Sequence, residues 1–340
     1  MGDLRLEYVH SRNRGNNRYL SFQSFQPMEL QQIRYFVAVA ETQNFTRAAE
    51  RCSVTQPSLS QQIINLEKEL GHKFFHRLGR KAVLTEAGAT FLQRARQILA
   101  GVDDATRELS DSQVLERRIQ VGAIPTVAPY LLPPLIQRCR EEFPQLTIEV
   151  REDFRSDLIR GILDGELDLA LASLPVKEPQ LSVEPILKEP LLLVVGRQHP
   201  LARTPQVTAK QLADHTFALL GNSSSLTHQI QRFCGDHDFE PRIGYRCAQI
   251  ATVKALVGLG LGISILPQGC RSKDDDSALV YRRLSGRQPE REVAVLRHIQ
   301  RYQSRGAEQF LRTLRTWLAE RDRDEPEPRE NARVAANPKD

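Results

Sequence analysis

The segment from Asn44 to Gly71, NFTRAAERCSVTQPSLSQQIINLEKELG, constrains this chain more than any other. Phe45, Ala48, Ala49 and Cys52 recur at helical intervals, and so do Leu59, Ile63, Leu66 and Leu70, so two short helices each have one face to bury. Ser53 and Val54 fall between them as a turn. Thr55 is placed as the N-cap of the second helix, and Pro57 sits in its first turn, where a missing backbone donor is harmless. The outward face of that second helix is short and polar: Gln56, Ser58, Ser60, Gln61 and Gln62, with Asn65 a turn further on. Amides and hydroxyls of this size can bond base edges in a major groove, which is how a helix-turn-helix reads DNA.

Flanking patterns complete a winged form. Upstream, Leu30, Ile33, Phe36, Val37 and Ala40 give a third amphipathic helix; downstream, Phe75 to Leu84 reads as a basic β-hairpin with Arg77, Arg80 and Lys81 around Gly79. Such a wing puts cations on phosphates, which adds affinity rather than sequence choice. Together with Pro57, and with Thr46 and Arg47 at the start of the first helix, these residues are the expected DNA contacts. A small helical bundle with one polar helix is the competing reading of the same pattern.

Several runs here resemble the amino-terminal signature of the LysR-type transcriptional regulators: Met28 to Ala40, Asn44 to Ala49, Thr55 to Gln62, Ile64 to Glu67 and Leu84 to Gly88. The resemblance covers about Met28 to Arg321 and is most specific at its amino-terminal end. It implies an α+β multidomain protein. A winged helix-turn-helix would occupy residues 28–86 and a long dimerisation helix with its linker 87–117. An α/β effector-binding domain similar to the periplasmic binding proteins would follow over 118–320, with subdomain I at 118–189 and 268–320 and subdomain II at 190–267.

Bulk properties agree with this and exclude other classes. At 340 residues the chain has room for two or three domains with cores of their own. Its net charge is +5, with nine Lys/Arg against six Asp/Glu between Met28 and Ala95, a mild basicity that points only weakly to nucleic acid. Cys52, Cys139, Cys234, Cys247 and Cys270 form no C-x-x-C pair and no ligand-spaced cluster, which argues for a reducing compartment and against a zinc site. No run approaches the roughly 18 apolar residues of a membrane span, and residues 1–27 lack the apolar core of a signal peptide. A cytoplasmic location without membrane contact is therefore expected. Residues 1–27 are expected to be a disordered extension, or an overcalled start before Met28, and the charged residues 321–340 a disordered tail.

Thr85 is expected to cap a long helix in which Phe91, Ala95, Ile98, Val102, Ala105 and Leu109 repeat as a heptad seam. A stripe that narrow is expected to bury against a second copy of the chain; packing on the chain's own effector domain is the alternative. A homodimer or homotetramer presents paired reading helices, so the double-stranded DNA partner is expected to be an imperfect inverted repeat. RNA polymerase is a further partner that the resemblance implies.

From Ile119 onward, short apolar runs alternate with helical segments. Expected strands are 119–124, 146–150, 167–173, 190–196, 216–220, 242–247 and 262–266, and expected helices 131–143, 157–163, 226–237 and 250–259. This alternation predicts open, mostly parallel α/β sheets, crossing between subdomains near 190 and 267. A small-molecule effector would lie in the cleft between the sheets. Thr126 follows the first strand and opens a helix, Ser224 and Ser225 precede a second, and Gln249 with Thr252 a third, so helix starts and hydroxyls would converge on an anion. Taken singly, Ser224, Ser225 and Thr252 read equally well as helix caps.

Within the family, Gly122 to Pro133 is similar to the peroxide-sensing, OxyR-like branch. Cys234 matches the place of that branch's resolving cysteine, but Ser225 stands where the branch has its peroxide-attacking cysteine and Ser224 where it has a histidine. A serine hydroxyl forms no reactive thiolate and cannot be oxidised to a disulfide. The principal expectation is therefore a regulator that senses a small anion; the alternative is a thiol-based, hydrogen-peroxide-responsive activator using Cys234 with Cys247. No enzymatic activity, metal or cofactor is expected. The histidines form no H-E-x-x-H pair, Ser223 to Ser225 lie in no G-x-S-x-G elbow, and Gly258 to Gly262 follows a helix and precedes a strand, the reverse of a dinucleotide-binding loop. Two other classes are distinguishable. A transport-type solute-binding protein would have no use for the polar helix from Gln56 to Asn65, and no metabolite would stabilise a constitutive repressor with a closed cleft.

Overall fold

The computed structural model describes residues 28–79, 81–110 and 117–324, and the chain divides into two compact units between Leu92 and Gln93.

The first unit comprises α1 (Leu30–Thr42), α2 (Phe45–Arg51), α3 (Gln56–Leu70), β1 (Phe75–Leu78), β2 (Lys81–Leu84) and the first turns of α4 (Glu86–Ser110). The helical stripes meet in a core of Ile33, Phe36, Val39, Ala48, Leu59, Ile63 and Leu66, none more than 2% exposed. Phe36 is its hub, with the rings of Phe74, Phe75 and Phe91 centred 5.2, 5.3 and 4.9 Å away. α3 stops at Gly71, whose φ of +70° suits a residue without Cβ and turns its N–H onto the Glu67 carbonyl. Thr55 adopts the N-cap backbone conformation, yet its hydroxyl makes no capping bond, a departure from expectation. Asn44 does cap α2, accepting from the Thr46 and Arg47 N–H groups. Thr85 caps α4 as expected, accepting from the Gly88 N–H at 2.9 Å while donating to the Lys73 carbonyl at 2.6 Å.

The second unit continues with β3 (Arg117–Ala123), α5 (Ala128–Glu142), β4 (Leu146–Glu152), α6 (Arg155–Leu163), β5 (Leu169–Ser173), β6 (Leu181–Gly196), β7 (Val207–Thr208), β8 (Thr216–Leu220), α7 (Ser225–Gly235), β9 (Arg242–Cys247), α8 (Ile250–Gly258), β10 (Ser264–Pro267), β11 (Leu279–Arg282), β12 (Leu284–Ser285), β13 (Glu290–His298) and α9 (Arg305–Asp324). One sheet runs β10-β6-β13-β5-β3-β4, with β11 also on β6, and a separate pair joins β8 to β9. β3 is parallel to β4 and β5, and β8 to β9. The expectation of mostly parallel sheets fails at the crossovers, because β13 runs antiparallel to both β5 and β6, and β10 and β11 run antiparallel to β6.

Two hydrophobic cores result. Ile119, Leu131, Leu158, Leu171 and Phe310 belong to the first, and Leu193, Phe217, Leu226, Val257 and Ile265 to the second. β6 serves both: its first part pairs with β13, and Leu191–Gly196 pairs with β10 and β11. Leu279 and Leu284 pack in the second core, which extends that subdomain beyond 267 and makes the approach to β13 the return path. α9 runs to Asp324, so the helix continues past the expected domain end at 320. The expectations for residues 1–27 and for the end of the tail fall outside the described residues.

Within the second unit, α4 shows two faces. Arg96 pairs with Asp164 at 2.6 Å, Asp104 with Arg301 at 2.8 Å and Arg107 with Asp168 at 2.8 Å. Between these pairs Ala100 lies so close to Gly165 that a Cβ there would stand 2.4 Å from the alanine methyl. The expected seam divides: Ala95 is fully buried, whereas Ile98 and Leu109 are 38% and 79% exposed.

Candidate DNA interface and effector cleft

On α3 the polar residues sort by helical phase. Pro57, Ser58 and Gln61 are exposed and Gln56 is half-buried, and no side-chain partner holds Gln56 or Ser58 among the described residues. Gln61 donates to Asn65 at 3.0 Å, and Gln62 accepts from Gln32 at 3.1 Å. Ser60 is the correction. It lies on the stripe shared with Ile63 and Glu67, is 8% exposed, and accepts from Arg77 Nη2 at 3.0 Å. The Arg77 guanidinium also sits 4.6 Å from the centre of the Phe45 ring. Arg77 therefore braces the wing against α2 and α3, while Thr46, Arg47 and Lys81 stay exposed. Arg80 lies outside the described residues. Glu67, buried, receives Lys73 Nζ at 2.7 Å and the Phe74 N–H at 2.9 Å, which ties α3 to the approach of the wing. A charged residue on an apolar stripe marks such a buried tie, and that was its only sequence signal.

In the second unit the expected effector residues do not share one open cleft. Thr126 is 2% exposed, and its hydroxyl and carbonyl accept from Arg291 at 2.7 and 2.8 Å. Arg291, on β13, is itself 2% exposed and pairs with Glu189 on β6 at 2.8 Å; the Glu189 carboxylate also receives the Tyr130 hydroxyl at 2.6 Å and the Gly269 N–H at 2.8 Å. Thr126 is thus already engaged as an acceptor in a closed ion-pair network, so its hydroxyl is not a free donor for an anion. Ser225 shares a 2.7 Å hydrogen bond with Ser173 across the two subdomains. Ser224 is buried at the N-cap of α7, Gln249 is the exposed N-cap of α8, and Thr252 is exposed on α8; neither cap side chain makes a capping bond. A cavity of about 940 Å³ opens elsewhere between the subdomains, lined by Leu174–Val176, by Gln229, Arg232 and Phe233 of α7, and by residues 287–292 leading into β13. None of the five expected residues lines it.

Comparison with known proteins decides what this architecture is. Residues 30–89 match the bacterial regulatory helix-turn-helix protein family, lysR type, and residues 112–319 match the LysR substrate binding domain. The chain belongs to the LysR family. It is 34% identical over 243 residues to the DNA-binding transcriptional dual regulator OxyR of Escherichia coli, covering 71% of this chain and 79% of that protein. The HTH-type transcriptional regulator YcgK of Bacillus subtilis is 29% identical over 310 residues, 86% of this chain and 95% of YcgK. Among solved structures, a full-length OxyR variant of Pseudomonas aeruginosa is 29% identical with a TM-score of 0.67, over 85% of this chain and 98% of that one. This LysR-family protein is accordingly a DNA-binding transcriptional regulator with an effector-binding domain. Among its described residues no helix is long and apolar enough to cross a membrane.

The cysteines of this LysR regulator sit in the wrong surroundings for thiol chemistry. Cys234 is fully buried in the second core, and burial pushes its thiol up to about 12; Cys247, 8% exposed, is also raised by burial. Reactive cysteines need a low-pKa thiolate with access to the oxidant, and neither residue offers one. Because the folded thiols stay protonated well above neutral pH, iodoacetamide at pH 8 is expected to leave Cys234 and Cys139, the latter raised to about 11, unmodified until denaturant is added. Intact-protein mass spectrometry before and after unfolding checks this; alkylation of Cys234 in the native protein would contradict the stated burial.

Proposed function

We propose that this regulator acts as a homodimer, or a dimer of dimers, that binds an imperfect inverted repeat and changes its grip on the promoter when a small molecule occupies the effector cleft. The observation that carries the reading is the first turns of α3, where Pro57, Ser58 and Gln61 face solvent with the wing braced beside them. The exposed stripe through Ile98 and Leu109 supports pairing of α4 with a second copy. Paired heads would read half-sites about one helical turn, or a multiple of it, apart. A ligand that favours one subdomain arrangement would shift the equilibrium between head spacings, and with it DNA bending and contact with RNA polymerase. The cytoplasm is the compartment in which such a protein meets its promoter.

Footprinting on genomic fragments, with binding measured across salt concentrations, tests this. Gln61→Ala is expected to cost about 1–3 kcal/mol on the operator with little effect on unrelated DNA, whereas Lys81→Gln should weaken all sequences alike and lower the log–log salt slope by about 1. Protection of a single half-site, or a monomer at micromolar concentration, would overturn the dimeric reading. The peroxide-responsive alternative draws support from the similarity to OxyR, but Ser225 supplies no thiol and the surroundings of Cys234 keep it protonated.

A further inference from the structure

The 940 Å³ cavity combines three kinds of surface. Leu174, Val176, Leu191 and the half-buried ring of Phe233 supply an apolar wall. Its ionic groups do not amount to an anion site. Lys188 is paired with Glu290 at 2.6 Å, and Arg291 is held by Glu189 and Thr126. Of the remaining charged lining residues, Arg232 and Arg287 are cations and Asp236 and Glu292 are anions; none of the four is within ion-pair distance of a partner among the described residues, and Glu292 stands across from Lys188 in the β6–β13 register. Between wall and charges lies Gln229, whose Nε2 donates to the Leu174 carbonyl at 3.3 Å while its Oε1 is buried without any partner. That oxygen has no surface open to the cavity, so an occupant meets the rest of the Gln229 side chain instead.

We propose that the cavity binds a zwitterionic small molecule with a flat apolar body, the chemistry of an aromatic amino acid or a close derivative. The inference rests on the reading of this domain as an effector sensor. A singly charged ligand meets one attractive and one repulsive pair of side chains, whereas a zwitterion satisfies both. Its ring lies against Phe233 and the aliphatic wall. The volume falls within the range of small-molecule sites. This replaces the simple anion expected from hydroxyls and helix starts, because Thr126 is held by Arg291 and Ser225 by Ser173, and none of the five expected residues lines the cavity.

Fluorine NMR on the full-length protein tests the proposal with 5-fluoro-L-tryptophan, 5-fluoroindole-3-acetate, which lacks the ammonium group, and 5-fluorotryptamine, which lacks the carboxylate. The zwitterion is expected to bind at least about tenfold more tightly than either singly charged probe. The exposed double substitution Arg232→Gln with Asp236→Asn should erase the preference for the zwitterion. Binding of the acetate as tight as that of the amino acid, indifference to the double substitution, or no binding of any probe at about 5 mM would overturn the ligand class. Operator affinity measured by fluorescence anisotropy on the same samples reports separately on the regulator reading, so its loss and the loss of probe binding are distinguishable.

Discussion

Phe36→Ala is expected to unfold the DNA-binding head and abolish operator binding while the effector-binding domain stays folded. Phe36 is fully buried and touches three other aromatic rings, so truncation removes a large apolar side chain and its edge-on contacts with Phe74 and Phe91 together. Such a change costs about 3–5 kcal/mol. A unit the size of the matched helix-turn-helix, residues 30–89, holds roughly 3–9 kcal/mol in total at the usual stability per residue. The loss is therefore comparable with all the stability the head has. A partial loss of the far-ultraviolet helical signal, as α1, α2 and α3 melt, retained unfolding of the second unit and an absent mobility shift are the expected result. A variant that binds the operator as the parent does would show that the aromatic cluster is not what holds the head together.

Arg291→Met carries the largest expected effect in the second unit. Removing the guanidinium leaves the Glu189 carboxylate, 5% exposed, with only the Tyr130 hydroxyl and the Gly269 N–H, and strips the donors from Thr126. Breaking one side of a buried ion pair typically costs about 3–5 kcal/mol, because the other charge is left desolvated and uncompensated. For a domain of this size that corresponds to a fall in Tm of about 6–20 °C. Trp317, packed against the first core, supplies the fluorescence readout. Adding Glu189→Gln should recover part of the loss by neutralising the stranded charge, and that recovery separates an electrostatic cause from lost packing. A Tm within about 2 °C of the parent would mean that the network is well hydrated rather than buried.

Both sites teach the same lesson about what a sequence exposes. The head was legible because its determinants are local: periodic apolar positions, Gly71 and the Thr85 cap all lie within a few turns of what they organise. The strands and helices around the second core were likewise marked by short apolar runs, and α8 leading into β10 disposes of the glycine-rich lure as expected. Misreadings arose where a polar residue faces inward. Ser60 falls among the polar residues of the reading face in the sequence yet shares its stripe with Ile63, and Arg291 disguises β13 because a cation interrupts the apolar run of a strand that is central to the sheet.

The sequence by itself determined the family, the order of the elements in the head, the long helix and the alternating pattern of the effector-binding domain, since periodicity and capping act over a few residues. Only the tertiary structure decided what Thr126 and Ser225 do. Their partners, Arg291 and Ser173, lie 165 and 52 residues away, and Glu189 meets Arg291 across 102 residues. It also decided how the strands cross between cores and which side chains face the cavity. Hydrogen-bond partners and charge balance at such separations are set by strand register and by which side each residue presents, and no local pattern along the chain carries that information.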